Sequence, residues 1–96
     1  SLLLLVMALL AVSASLECYV GKIPNTKGES FVIPKLTKCS AKEKCCFAGG
    51  HYLRGKYFKC EAECPDFKGK DSVSTSNSEG FQKWCVNSRG DCKYNV

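Results

Sequence analysis

Residues 38–50 read KCSAKEKCCFAGG, and this stretch places Cys45 and Cys46 side by side with Cys39 a short distance upstream. Neighbouring cysteines rarely bond each other, because the bond would close a small, strained ring. If both are oxidised, each must therefore reach a different partner elsewhere in the chain. Side chains alternate along a strand, so two adjacent cysteines can point to opposite faces and serve two separate bridges.

The chain contains eight cysteines in 96 residues: Cys18, Cys39, Cys45, Cys46, Cys60, Cys64, Cys85 and Cys92. An even, dense count in a short secreted chain indicates a disulfide framework. A domain of this size buries little apolar surface, and each bridge adds about 2–4 kcal/mol by restricting the unfolded chain. Zinc is the competing use of the thiols, but there is no paired CxxC and only one histidine. We therefore predict no metal and no cofactor.

The first 15 residues, SLLLLVMALLAVSAS, carry no charge and end in small side chains. A membrane-spanning helix needs about 20 apolar residues, so this stretch is too short to cross a bilayer. The pattern is typical of a secretory signal peptide, and the alternative is a short buried helix. We predict a signal peptide at 1–15, one domain at 16–96 and a secreted, extracellular location.

The segment between Cys18 and Cys39 has the pattern of a β-hairpin. Residues 19–38 place β-forming side chains on both sides of the turn-prone stretch 24–28. Pro34 restricts the second arm to a sheet edge or a bulge, because proline lacks the N–H that a central strand donates.

Two further segments repeat this arrangement. In residues 46–60, Gly49–Gly50 and Gly55 bracket a bend. In residues 65–84, the middle reads SVSTSNSEG, and its small polar side chains predict a mobile tip. Since no sustained helical period follows the leader, the sequence predicts a small all-β, disulfide-rich domain of three hairpin loops.

Four features of the mature part resemble the three-finger superfamily: the start LECY, the run Cys39-x6-Cys46, the unit Cys60-x3-Cys64-Pro65, and a terminal cysteine loop. That superfamily includes snake toxins, lymphocyte-antigen-type proteins, the urokinase receptor domains and secreted amphibian proteins. The likeness covers the whole mature chain. It implies a three-finger fold, in which three β-hairpin loops project from a palm of four disulfides.

The resemblance also implies a set of disulfide bonds, namely Cys18–Cys46, Cys39–Cys60 and Cys64–Cys85. The family has a second cysteine beside the one at position 85, which closes a small loop to the last cysteine. This sequence has Val86 there instead. The departure leaves Cys45 and Cys92, and these two are expected to bond each other.

The altered cysteine arrangement and the LECYVG start are similar to plethodontid modulating factors, which are salamander courtship pheromones of this superfamily. The resemblance implies a monomeric signalling ligand that binds an extracellular or membrane receptor through its finger loops. Two alternatives remain open. One is a neurotoxin-like blocker of the nicotinic acetylcholine receptor, and the other is an integrin-binding protein.

The second finger, FAGGHYLRGKYFK at 47–59, is the best receptor-binding candidate, because it interleaves aromatic and basic residues. Aromatic rings supply rigid contact area, and arginine stacks on rings or pairs with carboxylates. The predicted receptor-binding residues are His51, Tyr52, Leu53, Arg54 and Lys56. Under the alternative interpretation, Phe47, Tyr57 and Phe58 pack in the palm and the charges only keep the loop solvated.

The tripeptide Arg89-Gly90-Asp91 is a possible integrin motif. It holds a guanidinium and a carboxylate apart on a flexible glycine, and the carboxylate can complete the coordination of an integrin-bound cation. Tethering at Cys85 and Cys92 would reduce the entropy lost on binding. The alternative is a chance match, with Asp91 serving a structural role beside the last cysteine.

The remaining composition narrows the class of function. Basic residues outnumber acidic ones by five, with acids spread among them, which favours acidic receptor surfaces or glycans. Secretion excludes nucleic acid as a partner, and membrane insertion is not expected because the tips PNTKGES and SVSTSNSE are polar. The lone histidine, His51, favours an exposed turn residue over a metal site or a nucleophile–base pair, and the sequence lacks GxSxG, HExxH and phosphate-loop motifs. We therefore predict a protein that is not an enzyme.

Overall fold

The computed structural model describes residues 15–26 and 30–94. The strands are β1 Glu17–Ile23, β2 Val32–Lys38, β3 Cys45–His51, β4 Gly55–Glu61, β5 Ser72–Ser76 and β6 Gly80–Cys85. One turn of 3-10 helix spans Gly90–Cys92. Within these described ranges there is no α-helix, and no helical segment could cross a membrane. The prediction of a small all-β, disulfide-rich fold is confirmed, while the predicted leader lies outside the described residues except for Ser15.

All six strands belong to one antiparallel sheet, in the order β2-β1-β4-β3-β6-β5. The strands form three hairpins, β1–β2, β3–β4 and β5–β6, and the second of them lies at the centre of the sheet. Strand β1 pairs with β4 from Gly21↔Phe58 to Ile23↔Lys56, so the first and second hairpins are joined side by side. Pro34 lies in the edge strand β2, which tolerates its missing N–H, as the sequence predicted.

The bend of the second hairpin is shorter than the glycine pattern suggests. Gly49 and Gly50 lie inside β3, and the turn comprises residues 52–54. A Cβ at Gly49 would meet the Phe47 ring at 2.6 Å, and a Cβ at Gly50 would meet the Phe81 ring at 2.6 Å. These two glycines therefore make room for aromatic rings that lie across the strand.

The third hairpin also differs from the prediction of a long polar tip. Residues 72–76 form strand β5, because they pair with β6 from Ser72↔Cys85 to Ser76↔Phe81. Only residues 77–79 form the turn. There the Oδ1 of Asn77 accepts hydrogen bonds from the N–H groups of Glu79, at 2.8 Å, and Gly80, at 3.1 Å. An asparagine that bonds its own backbone in this way shortens the loop.

The interior is built mostly from cysteine. The buried apolar side chains of the described residues are Cys18, Pro34, Cys39, Cys45, Cys46, Phe47, Ala48, Cys85 and Cys92. Phe47 is thus the one large apolar side chain in this set. A single-layer sheet with so little buried apolar surface depends on covalent bonds for much of its stability.

The four disulfides agree with the expected pairing at two positions and differ at two. The bonds Cys18–Cys46 and Cys39–Cys60 are present as the resemblance implied. The other two bonds are Cys45–Cys64 and Cys85–Cys92. The expectations of Cys64–Cys85 and Cys45–Cys92 are therefore wrong. Cys45 and Cys46 do serve separate bridges, as strand alternation predicted.

The two unexpected bridges close loops that lie nearby in the chain. Cys45 lies opposite Glu61 at the end of the β3–β4 ladder, and the chain bends directly after Glu61. Cys64 therefore returns beside Cys45, with 6.1 Å between their Cα atoms. In the same way, the short loop after β6 returns Cys92 to Cys85, seven positions earlier. Cys85 thus takes over the loop-closing role for which the resemblance required an additional cysteine.

Candidate binding site

The turn of the second hairpin presents large apolar side chains to solvent. Tyr52 is 61% exposed and Leu53 is 77% exposed, and the neighbouring Arg54 is also exposed. The prediction that these three residues lie at the tip is confirmed. Since exposed apolar side chains cost free energy in water, a cluster of them at a fixed place indicates a contact surface.

Hydrogen bonds within the turn fix its backbone. The Nδ1 of His51 accepts a hydrogen bond from the N–H of Leu53 at 3.1 Å. The carbonyl of His51 accepts another from the N–H of Arg54, also at 3.1 Å. His51 is half-buried, so it acts as a turn-closing residue that keeps Nε2 for other partners.

The neighbouring hairpins also hold this turn. The N–H of Tyr52 donates to the carbonyl of Glu79 in the third hairpin at 2.9 Å. The side-chain amide of Asn25, in the first hairpin, donates to the carbonyl of Tyr52 at 2.9 Å. The turns of all three hairpins are therefore joined through one residue, and the tip is ordered before any partner arrives.

Gly55 allows the first and second hairpins to approach closely. Its φ of 102° lies in the left-handed region, which side chains rarely adopt. A Cβ here would also collide with the carbonyl of Ile23 and would lie 2.7 Å from the Cα of Pro24. A glycine is thus required where β4 begins.

Three aromatic rings form a row across the face of the sheet that we call the front face. The Phe47 ring lies 5.5 Å from that of Tyr57 and 5.3 Å from that of Trp84, and the Nζ of Lys59 lies 5.2 Å from its centroid. These neighbours leave Phe47 only 4% exposed, whereas Tyr57 is 39% exposed. The packing interpretation therefore holds for Phe47, while Tyr57 remains available at the surface.

Phe58 packs on the opposite, back face. Its ring lies 5.7 Å from that of Tyr94, which in turn lies 6.5 Å from the ring of Tyr19. Phe58 is half-buried in this contact. The segment after Cys92 thus covers the back of the central hairpin, and Phe58 has a packing role.

The carboxyl group of Glu61 has a pKa that departs clearly from its ordinary value. Partial burial raises the pKa, but this is outweighed by the hydrogen bond from Lys59, the backbone N–H groups of Glu63 and Ala62, and the Lys59 charge. The pKa of Glu61 is therefore lowered. The Lys59 Nζ lies 3.1 Å from the carboxylate, so this ion pair fixes Lys59 above Phe47.

A basic groove lies between the first and second hairpins. It has a volume of about 910 Å³ and is lined by Lys22, Ser30, His51, Arg54, Gly55, Lys56 and Tyr57. Lys22 pairs directly with Tyr57 in the β1–β4 ladder, so both side chains lie on the front face. The lining includes three Lys and Arg residues and no acid among the residues that the structure describes. Lys56 alternates with Tyr57 along β4, however, and also lines a back-face depression with Phe58. Lys22 and Arg54 are therefore the cations of the front side.

The sheet order explains why the bases converge, although the sequence suggested that they were dispersed. The first two hairpins, residues 19–38 and 46–60, contain seven of the fourteen Lys and Arg residues but only one of the nine acids. They therefore carry a net charge of +6, and the rest of the chain carries −1. Since these hairpins are neighbours in the sheet, bases that are spread out along the sequence belong to adjacent strands.

The Arg89-Gly90-Asp91 motif lies in the loop that the Cys85–Cys92 bond closes. All three residues are exposed. The carboxylate of Asp91 accepts a hydrogen bond from the hydroxyl of Ser72 at 3.3 Å and lies 3.6 Å from the Nζ of Lys83. The tether is therefore present, and Asp91 also has the structural role that the sequence analysis considered.

The structure brings together four of the five predicted binding residues, His51, Tyr52, Leu53 and Arg54, in or beside one turn, and Lys56 is the second residue of β4. Arg89 and Gly90 lie apart from this turn in the loop after β6, whereas Asp91 lines a back-face depression together with Lys56. Sequence reasoning missed Lys22 and Ser30, which belong to the first hairpin. The signal that could have found Lys22 was the excess of bases in both hairpins.

No family model, no curated protein and no solved structure matches this chain.

Proposed function

We propose that this chain is a secreted signalling ligand of the three-finger type, without catalytic activity, that binds a receptor through the turn of its second hairpin. The observation that carries the proposal is the exposure of Tyr52 and Leu53 on a backbone that both neighbouring hairpins hold in place. Tyrosine and arginine are the residues that most often dominate protein–protein contacts. An ordered turn loses little conformational entropy on binding.

The resemblance to plethodontid modulating factors makes a courtship pheromone the preferred role. Three consecutive hairpins with disulfides concentrated at one end support this assignment, as does a cysteine arrangement that departs from the usual three-finger pattern. The receptor would then be a membrane protein of the recipient's chemosensory epithelium, and the ligand would act as a monomer.

A direct test measures the binding of the labelled, oxidised protein to membranes from that epithelium. Leu53→Ala and Arg54→Ala should each weaken binding by about tenfold or more, because the dominant residues at the centre of a contact contribute about 2 kcal/mol or more. Lys70→Ala is the matched control, since Lys70 is exposed at the base of the third hairpin. If both turn variants bind as tightly as the parent protein, the turn is not the receptor-binding element.

The same variants separate the pheromone role from a neurotoxin-like role. Membranes that carry the nicotinic acetylcholine receptor should show no displaceable binding if the proposed role is correct. If the protein binds these membranes tightly and Arg54→Ala abolishes the binding, the turn is still the binding site but the receptor is the nicotinic acetylcholine receptor.

Integrin binding is a second candidate, favoured by the exposed Arg89-Gly90-Asp91 loop and the Cys85–Cys92 bond that closes it. In a cell-adhesion assay on immobilised protein, Asp91→Glu should abolish integrin adhesion, because the longer side chain misplaces the carboxylate on the integrin cation. Arg54→Ala should leave adhesion intact. Adhesion that Asp91→Glu does not reduce would remove the motif from consideration.

A further inference from the structure

We infer that the basic groove between the first and second hairpins is the place where an acidic segment of a protein partner docks, an inference that rests on the proposed receptor-binding function. The groove lies next to the exposed turn, and Arg54 belongs to both. A partner that contacts Tyr52 and Leu53 therefore also reaches the groove.

The charge of the groove supports this assignment. Lys22 and Arg54 line one open groove, although they lie in different hairpins, whereas Lys56 also lines the back-face depression with Phe58. The ion pairs within the described residues are Lys59–Glu61 and Lys83–Asp91, so neither Lys22 nor Arg54 takes part in one. A groove lined by one sign of charge focuses the field and attracts groups of the opposite sign.

The side of the central hairpin that faces the third hairpin differs in charge from the side that faces the first. A second, smaller depression shares His51 and Tyr57 with the groove, but it continues over Thr75, Gln82 and Glu79 of the third hairpin. An acidic segment is repelled from Glu79 and attracted to Lys22. The charge distribution therefore directs such a segment toward the first hairpin.

The apolar neighbours favour a protein over a sulfated glycan. The 39% exposed ring of Tyr57 lines the groove, and the more exposed Tyr52 and Leu53 stand at its end. A glycan would engage the cations but would leave these apolar surfaces uncovered. A peptide segment with acidic and aromatic side chains satisfies both, since aromatic side chains and arginine are enriched at protein interfaces.

The test uses the full oxidised protein and two probes. One is a synthetic peptide of glutamate and tyrosine with roughly ten residues, which spans the groove at about 3.3 Å per residue when extended. The other is a short heparin oligosaccharide. Fluorescence anisotropy at about 50 mM salt keeps charge interactions weakly screened. The Lys22→Glu variant should bind the peptide about tenfold more weakly than the parent protein, because truncated or reversed charge contacts commonly cost this much.

Lys70→Glu is the matched control, since it makes the same change in net charge at an exposed position away from the groove. It should reduce peptide binding by less than about twofold. Equal weakening by both variants would show an effect of net charge alone and would overturn the inference. So would binding of heparin without the peptide, or binding of neither probe.

The outcome also separates this inference from the proposed function. Lys22 lies outside the turn. If the Lys22→Glu protein binds the peptide normally, the groove is not the docking site. The effect of Leu53→Ala on receptor binding can still support the turn in that case. Normal receptor binding by Leu53→Ala, combined with weak peptide binding by the Lys22→Glu protein, would keep the groove and reject the turn.

Discussion

At the scale of single residues, Gly55 shows how one backbone position joins two hairpins. It combines a left-handed φ of 102° with close contacts to the chain at Ile23 and Pro24. Gly69 has a similar φ of 79°, but nothing lies within 4 Å of the place where its Cβ would be. A comparison of substitutions at these two glycines therefore separates the cost of backbone strain from the cost of a steric collision.

Gly55→Ala is expected to be much more destabilising than Gly69→Ala. The left-handed conformation alone costs a side chain about 1–2 kcal/mol, which is the expected effect at Gly69. At Gly55 the collision adds about 1–3 kcal/mol. Guanidinium unfolding of the oxidised variants measures both free energies, and equal values would show that the hairpins are not in contact at Gly55.

Glu61 gives a second prediction at this scale, on the pH dependence of stability. A carboxyl group with a lowered pKa in the folded protein contributes stability that is present above its unfolded pKa and is lost as pH falls through the folded pKa. The unfolded value is 4.5, so the loss occurs below that pH. Lys59→Met should raise the Glu61 pKa and reduce this loss.

Carboxyl chemical shifts followed by NMR during an acid titration measure the Glu61 pKa directly. Lys83→Met is the control, because Lys83 pairs with Asp91 and not with Glu61. A Glu61 pKa that stays the same in the Lys59→Met protein would show that the Lys59–Glu61 pair does not form in solution.

At the scale of elements, the sequence predicted the hairpins better than the bridges that join them. Alternating β-formers located the strands, and Pro34 correctly marked an edge. Strand alternation correctly gave Cys45 and Cys46 different partners. The partners of Cys45 and Cys92 were wrong, because they depend on how the chain bends after β4 and β6, and no local pattern specifies those bends.

The candidate site was predictable to the same extent. Its turn residues follow one another in sequence, so the aromatic and basic pattern of residues 51–56 was sufficient to find them. The groove was not found, because Lys22 reaches it only through the pairing of β1 with β4. Two strands that are distant in sequence become neighbours here, and periodicity contains no information on that pairing.

The Cys85–Cys92 bridge carries a prediction at this scale. It closes a short loop, whereas Cys18–Cys46 has a sequence separation of 28. Loop entropy then predicts that replacing both cysteines by alanine costs about 2.5 kcal/mol for the terminal pair and about 3.6 kcal/mol for the long-range pair. Denaturant unfolding of the two double variants tests this order. If loss of the Cys85–Cys92 bond costs as much stability as loss of Cys18–Cys46, the terminal loop orders residues beyond those that the bond encloses.

At the scale of the whole molecule, charge and covalent structure are divided between regions. The positive charge resides in the first two hairpins, and the disulfides gather at the opposite end from the turns. The bonded cysteines hold the bases of the hairpins, while the turns present the groove and the exposed apolar residues. The disulfide-bonded end therefore fixes the shape of the molecule, and the turns at the other end provide the binding surface.

The central claim is that disulfide bonds, rather than an apolar core, determine this shape. Its most direct test is the amide NMR spectrum of the protein after complete reduction and alkylation, compared with that of the oxidised protein. The account predicts that the dispersed amide signals of a β-sheet collapse to the narrow range of an unfolded chain, because the described residues bury few apolar side chains besides cysteines, namely Pro34, Phe47 and Ala48. A reduced and alkylated protein that kept the dispersed spectrum would contradict it.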